Sequence, residues 1–401
     1  MPSLRQLFLS HVAQTSELPL MLEIDKASGM YIYDKDGKRY IDMNSGISVS
    51  SLGHCHPNVV AAVQDQVARH MHTMVYGEHI QQAQVKYATL LSQQLDDSLS
   101  KVYYVMTGTE CVEVAMKLGR RYAGRYEIVA AKNAYHGSTF GAEALRSDHD
   151  FSSSFAPGVP GIRHIEFNNE QDLSRITEKT ACVIVEPVQA ESGVNPPQND
   201  YLKSLRARCT EVGALLVLDE IQTGFGRTGF LFAHHKYGIV PDVLLIAKSM
   251  GGGMPIGAIV SSGEIMSKIT KNPALGHITT FGGHPVSCAA AHAMLDTLLE
   301  TKLVDLVESK GSYLQTRLEQ HPIISEIRRS GLMMGVEVTK RKYLKHVVNR
   351  CIENGLIIDY FLFNNKSFRL APPLIITEEE MKEACAILEE AFDYAEQRYK
   401  K

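Results

Sequence analysis

Between residues 101 and 262 short apolar runs alternate with helix-length amphipathic segments, and this alternation constrains the fold more than any other feature of the chain. The runs fall near 102 to 106, 127 to 131, 162 to 166, 182 to 185, 214 to 218, 243 to 247 and 257 to 261. Unbroken apolar stretches of strand length suit strands covered by helices on both faces, the condition of a parallel sheet with crossover helices. The expectation is an α/β fold, a large doubly wound domain around a seven-stranded, mainly parallel sheet.

Four of these runs end in polar chemistry. The run at 102 to 106 ends in Thr107-Gly108-Thr109-Glu110, and the run at 182 to 185 in Glu186-Pro187-Val188-Gln189. The run at 214 to 218 ends in Asp219-Glu220-Ile221-Gln222, and the run at 243 to 247 in Lys248, with Gly251, Gly252 and Gly253 just beyond. Open α/β sheets place their ligands at the carboxyl ends of strands. A single strand-end lysine would be expected to snorkel to solvent. Four polar strand ends together read as one site built along a sheet edge, with the glycines letting the backbone turn sharply beside the lysine.

The totals exclude several classes. With 401 residues, 44% hydrophobic and 21% charged, the chain has ordinary globular composition and room for two interlocked domains. Lys+Arg 41 against Asp+Glu 45 leaves a net charge of -4 without a basic block, so neither nucleic acid nor an anionic membrane surface is expected as a partner. Seven scattered cysteines, never in a C-x-x-C pair, point to a reducing compartment. Leu7-Phe8-Leu9 is too short for a signal-peptide core, and no stretch reaches the roughly twenty apolar residues of a membrane helix. A cytoplasmic location is expected.

Outside the sheet region, Leu4, Leu7, Phe8, His11 and Val12 share one helical face, which predicts a short helix lying on the body or on a partner subunit. Residues 31 to 42 predict a hairpin, with Asp36-Gly37 supplying the positive φ angles of its turn. His54-Cys55-His56 invites a metal reading, but no further ligands at a clear spacing accompany it, so histidines in a turn before a helix from about 58 to 70 are preferred. No metal is expected. After Pro285 one long helical pattern runs toward Gly311, and strands follow at 333 to 338 and 367 to 370. Thr377 to Glu380 forms a capping box for a last helix on which Met381, Ala384, Leu388 and Phe392 share a face. The domain expectation is 1–50 as the amino-terminal part of a smaller α+β domain, 51–295 as the large domain, and 296–401 as the rest of the small one.

A strand-end lysine, a buried acid and a phosphate-binding turn together specify a carbonyl cofactor held as a Schiff base, for which pyridoxal phosphate is the common case. Asp219 then keeps the pyridine nitrogen protonated. The segment 107 to 109 opens a helix whose free N–H groups and hydroxyl can hold the phosphate. Tyr135 can stack on one ring face while Ile221 covers the other.

Eight motifs carry a resemblance: L-G-H-C-H-P at 52 to 57, T-G-T-E at 107 to 110, Y-H-G at 135 to 137, E-P-V-Q-A-E-S-G at 186 to 193, D-E-I-Q-T-G-F-G-R-T-G at 219 to 229, A-K-S-M-G-G-G-M-P-I-G at 247 to 257, T-F-G-G-H-P at 280 to 285 and R-L-A-P-P-L at 369 to 374. In order and spacing the whole chain resembles the class III, or ω-amino acid, aminotransferases of fold type I. The resemblance implies that Lys248 is the Schiff-base lysine and proton-shuttling base, and that Asp219 is the pyridine partner. It implies cofactor contacts at Gly108, Thr109, Tyr135, His136, Glu186, Ile221 and Gln222. Thr280 is similar to the residue that reaches the phosphate of the other subunit's cofactor, which implies a homodimer with shared active sites.

By the same resemblance Arg369 binds the α-carboxylate of a 2-oxo acid through a bidentate fork, and Glu191 pairs with it when the substrate is an ω-amine. A ping-pong transfer from an ω-amino or α-amino acid, or a diamine, to 2-oxoglutarate is implied. Ser138 stands where ornithine and acetylornithine relatives carry an arginine for the far carboxylate, which puts those two donors in doubt and leaves the donor open. Alternatives remain at this stage. Decarboxylases and aminomutases share the fold, a cofactor-binding scaffold without turnover is conceivable, and Gly224-x-Gly226-x-x-Gly229 literally fits a dinucleotide fingerprint of a nicotinamide oxidoreductase.

Overall fold

The computed structural model describes residues 2–399. Its central sheet is built from β1 (Lys101–Val105), β2 (Glu127–Ala131), β3 (Ile162–Ile165), β4 (Thr180–Val185), β5 (Leu215–Asp219), β6 (Val243–Ile246) and β7 (Gly257–Ser261). The strands lie in the order β1-β7-β6-β5-β4-β2-β3. Pairing is parallel from β3 through β2, β4 and β5 to β6, whereas β7 runs antiparallel to both β6 and β1. Each of the seven predicted runs is a strand. They are legible because the inner ones are covered on both faces: every residue of β4, β5 and β6 is buried, so no polar alternation interrupts them. Helix α1 (Gly108–Ala123) packs on the sheet through Cys111, Val112, Val114, Ala115 and Leu118, and α2 (Pro285–Glu300) closes the opposite layer.

Two smaller sheets gather the chain ends. Ile24–Ser28, Tyr31–Asp34 and Arg39–Asp42 form antiparallel strands that Leu356–Ile357 joins in parallel. Ile324–Ser330, Met333–Val338, Ser367–Leu370 and Asp359–Tyr360 form the other. The last helix, α3 (Glu378–Gln397), begins with the predicted capping box: Thr377 Oγ1 accepts the Glu380 N–H, and Glu380 accepts the Thr377 N–H. Among the described residues no helix is long and apolar enough to cross a membrane.

Three local expectations change. The hairpin turn is longer than Asp36-Gly37 alone implies: Gly37 has φ +82°, but Asp36 is not in the left-handed region, and the Asp34 carboxylate accepts the N–H groups of Asp36 and Lys38. The helical pattern after Pro285 is two helices, because Thr301 turns extended at φ -96° and ψ 155° before a second helix, Val307–Leu318. Gly311 lies inside that second helix, where a Cβ would stand 2.3 Å from the Gly331 carbonyl oxygen; close packing, and not helix termination, demands the glycine. The amino-terminal helix Leu4–His11 forms but buries no residue in its own chain, leaving Leu4, Leu9 and Val12 more than half exposed.

Candidate active site

The carboxyl ends of β4, β5 and β6 point into one cavity of about 660 Å³, lined also by the first turn of α1 and by residues 135–139. Lys248 follows β6 after Ala247 with φ +48°, a left-handed conformation that a lysine adopts only when its surroundings impose it. Its side chain faces the cavity yet lies deep in the protein. Burial pushes its ammonium pKa down to about 8, with the positive charge of Arg369 adding to this and the carboxylates of Glu191, Asp219 and Glu186 opposing it.

Asp219, the last residue of β5, is buried and doubly held: Oδ2 is 2.7 Å from His136 Nδ1, and Oδ1 accepts the Ile221 N–H at 3.0 Å. Burial works against a charge on His136, but the hydrogen bond to Asp219 and the charges of Asp219 and Glu186 outweigh it and raise its pKa. Glu186, just beyond β4, accepts the N–H groups of Tyr135 at 3.0 Å and Ala190 at 2.8 Å. Burial lifts its pKa to about 7, with His136 opposing the rise and Asp219 adding to it. Two carboxylates and one imidazole thus share the strand ends as a coupled set.

The N-terminus of α1 is capped by Thr107, whose hydroxyl accepts the Glu110 N–H while Glu110 accepts the Thr107 N–H. This leaves the N–H groups of Gly108 and Thr109 without helical partners. The Thr109 hydroxyl is otherwise engaged. Thr139 Oγ1 donates to Glu113 Oε1 at 2.6 Å, so in the 2.7 Å contact between the two threonine hydroxyls Thr109 must be the donor. Two glycines mark where the walls close. A Cβ on Gly108 would stand 2.8 Å from Ile221 Cδ1, and one on Gly137, at φ +126°, 2.3 Å from Thr109 Oγ1.

Arg369 lies behind this cavity and does not line it. It is 1% exposed and donates through Nη2 to Glu191 Oε1 at 2.6 Å, while its Nε and Nη1 have no partner. Its guanidinium carbon sits 4.7 Å from the Phe361 ring centroid. Thr280 is apart from both, exposed beside Ile278 and Phe281, which are also exposed. Of the residues expected to contact a cofactor, all but Thr280 therefore border one cavity, and Glu191 and Arg369 form a buried pair next to it.

The metal reading of the 52 to 57 turn has no support in its geometry: His54 Nε2 is 2.8 Å from Asp42 Oδ2, a hydrogen-bond contact to the end of a small-sheet strand. The dinucleotide reading also fails. Residues 221–230 form successive turns, with no strand running directly into a glycine loop and helix, and a Cβ on Gly226 would meet Leu374 and Val304. Sequence reasoning missed the Thr109-Thr139-Glu113 chain and Arg227. Arg227 is fully buried, donating to the carbonyls of Leu332 and Pro372 and to the hydroxyls of Ser45 and Ser51. Its signal was an arginine set among the glycines Gly224, Gly226 and Gly229.

The donor set fits pyridoxal phosphate. A half-buried amine with a depressed pKa, a buried carboxylate in the same cavity, the donating amide nitrogen of Gln222 and free helix N–H groups are the complement of an aldehyde, a ring nitrogen, a ring oxygen and a phosphate. Fold and site together define a pyridoxal phosphate enzyme of fold type I. The model of the aminotransferase class-III family matches residues 12–392, and the chain belongs to that family. It is 37% identical over 379 residues to an acetylornithine aminotransferase of Clostridium acetobutylicum, covering 92% of this chain and 95% of the relative. It is 38% identical over 380 residues to a putrescine aminotransferase of Pectobacterium atrosepticum, covering 90% of this chain and 80% of that one. Among solved structures, the ornithine aminotransferase of Toxoplasma gondii superposes with a TM-score of 0.90 at 31% identity, over 98% of this chain and 95% of that one. Transamination with pyridoxal phosphate is thus the activity, in place of the decarboxylase, aminomutase and scaffold alternatives.

Proposed function

We infer that this aminotransferase exchanges amino groups between glutamate with 2-oxoglutarate on one side and an ω-amine without a carboxylate at its far end on the other. The observation that carries this reading is the buried Arg369–Glu191 pair, in which Arg369 still has Nε and Nη1 to offer. With Nε and Nη1 unpartnered, release of Nη2 by Glu191 would open a complete two-nitrogen edge for a carboxylate fork. With an α-carboxylate present, Arg369 turns to it; with an amine lacking one, Glu191 keeps the charge neutralised.

The donor's far end follows from what borders the cavity. Lys248 is the only lysine or arginine among the described residues lining it, and Ser138 contributes a hydroxyl 3.2 Å from Tyr135 Oη. Arg146 is a further cation nearby, its guanidinium carbon 5.8 Å from the Tyr135 ring centroid, but it is already paired with Glu143 and Asp148, so a distal carboxylate meets no unpaired second cation there among the described residues. A diamine or simple ω-amine fits better, and the putrescine aminotransferase among the relatives agrees in kind.

Bound pyridoxal phosphate supplies a carbonyl for covalent capture of the amine and a ring that takes up an electron pair. The remaining steps fall to the chain. Lys248, with a pKa near 8, offers its unprotonated amine at moderate pH and, once released, moves a proton to and from the substrate carbon. Asp219, fixed by His136, holds a proton at the ring nitrogen. Gly108 and Thr109 would hold the phosphate through backbone N–H groups, Gln222 would donate to the ring oxygen, and Tyr135 and Ile221 would pack against the ring. Glu186 orients the Tyr135 segment through its N–H.

The same reading makes the active form a homodimer, in which Thr280 reaches the partner subunit's phosphate site and the exposed helix Leu4–His11 finds its cover. It also keeps 51–295 as the cofactor-binding domain and joins 1–50 to 296–401, supported by the pairing of Leu356–Ile357 with Ile41–Asp42. Its test is a half-reaction screen with purified holoenzyme, following loss of the cofactor's visible band. Glutamate and short diamines should each bleach the band, and N-acetylornithine should do so far more slowly. Faster reaction with N-acetylornithine than with any diamine would overturn the donor assignment.

A further inference from the structure

A second site lies on the far side of β5 chemistry, where Glu220 faces away from the cavity. Glu220 is fully buried and receives the N–H groups of Ala233 and His234 together with His234 Nδ1, the last at 2.7 Å. A carboxylate accepting at Nδ1 requires a proton there, and in the neutral imidazole this leaves the lone pair on Nε2. His234 is itself fully buried, and its Nε2 has no hydrogen-bond partner. A buried polar atom so placed requires an occupant.

Two more donors meet it. The His235 ring centroid is 4.2 Å from that of His234, and Asp96, from the turn after the helix Gln82–Ser92, brings its carboxylate to the same place. One ligand atom from each of Asp96, His234 and His235 lies within 4.8 Å of the others. Asp96 and His235 are exposed, so the cluster stands at the protein surface with the buried His234 beneath it.

We propose that Asp96, His234 and His235 bind a divalent transition-metal ion of the zinc type, with Glu220 as the carboxylate that orients His234. Two imidazoles and one carboxylate, with a position left for water, suit zinc and its neighbours and not the all-oxygen preference of calcium or magnesium. A buried, carboxylate-oriented imidazole is the arrangement that metal-ligating histidines adopt. The ion ties the turn at Asp96 to the segment that follows Asp219, and so acts as a brace behind the cofactor cavity without touching it. Spacing along the chain gives no hint of it, because the third ligand comes from a distant element.

The test uses metal-stripped holoenzyme titrated with Zn²⁺ by calorimetry and with Co²⁺ by its visible d–d bands, read beyond the cofactor's absorption. Wild type should take up one ion per chain and melt at a higher temperature when Zn²⁺ is present. Asp96→Asn and His235→Ala, both at exposed positions, should each weaken Zn²⁺ at least tenfold, and the double variant should lose the Co²⁺ spectrum and the thermal shift while keeping basal transamination. Failure of wild type to hold Zn²⁺ overturns the proposal. So does undiminished binding by the double variant, which assigns the ion elsewhere, such as the turn at His54, Cys55 and His56.

Discussion

Glu191 Oε1 lies 2.6 Å from Arg369 Nη2 in a pair almost wholly removed from solvent, and the partnered carboxylate leaves two guanidinium nitrogens bare. Replacing one member of such a pair with a neutral residue normally costs about 3–5 kcal/mol, because the other charge is left buried alone. In Glu191→Gln the guanidinium loses its hydrogen-bonded carboxylate and keeps only the nearby Asp359 across the strand pair, until a substrate carboxylate arrives. The glutamate half-reaction should therefore hold or improve, while kcat/KM for the ω-amine falls at least roughly tenfold, from hydrogen bonds to charge worth about 1.5–3 kcal/mol. Single-turnover rates for the two half-reactions check this, and equal losses in both would refute the switch.

The Asp219–His136 contact calls for a different variant. Asp219→Asn keeps the shape and one acceptor for the Ile221 N–H but removes the charge that holds a proton at the ring nitrogen. Turnover should drop by roughly 10²–10³, the loss typical when one preorganised electrostatic partner is removed. Unfolding by denaturant should shift little. Near-normal turnover in a well-folded Asp219→Asn would refute the role.

Lys248 sets a pH dependence whose sign is definite. Its folded pKa, about 8, lies below the ordinary 10.5, so folding favours the neutral amine relative to the unfolded chain and makes it the majority form above about pH 8. Covalent capture of pyridoxal phosphate by apoenzyme needs that neutral amine, so its rate should rise through pH 8 and level off above it. Between pH 8 and 10.5 the unfolded chain binds a proton that the folded chain lacks, so this group makes apoenzyme stability rise with pH across that window. A capture rate still climbing in proportion to hydroxide at pH 10 would show the lysine to be solvated.

Three residues of the cavity were open to sequence reasoning because each lies at a strand end, where a buried apolar run stops abruptly at a functional residue. Lys248, Asp219 and Glu186 all share that signature. What stayed hidden is contact between elements far apart in the chain. Glu113 looks like any helix residue until Thr139 is brought against it, and Asp96 gains meaning only beside His235. The break at Thr301 was hidden for another reason: the apolar pattern continues through it, and only the backbone changes direction.

Arg227 offers a stability prediction. It is buried without a hydrogen-bonded carboxylate and spans four segments, donating to Leu332 O at 3.1 Å, to Pro372 O, and to Ser45 and Ser51 Oγ at 3.3 Å. Arg227→Met removes all of these donors from a dry interior. Each acceptor left unsatisfied costs about 1–3 kcal/mol. Thermal inactivation of the holoenzyme should quicken markedly, with the KM values of surviving enzyme nearly unchanged; an unaltered inactivation rate would show that water replaces the guanidinium.

Thr280 tests the dimer by complementation. It is exposed in the single chain and does not line the cavity, and the proposed dimer assigns its contact to the phosphate site of the other chain. Thr280→Val removes one hydrogen bond to a charged phosphate, worth about 1.5–3 kcal/mol, and should weaken cofactor retention roughly 10- to 100-fold. Lys248→Ala should retain no covalent cofactor at all. In a mixed dimer of the two variants, one site combines the Lys248→Ala defect with the Thr280→Val defect and is inactive. The other site combines an intact Lys248 with an intact Thr280 from the neighbouring chain. Mixing the two proteins under conditions that exchange subunits should therefore restore tight cofactor retention and activity to one site in each mixed dimer. If Thr280 acted within its own chain, the only lysine-bearing site would still carry the Thr280→Val defect, and mixing would restore nothing.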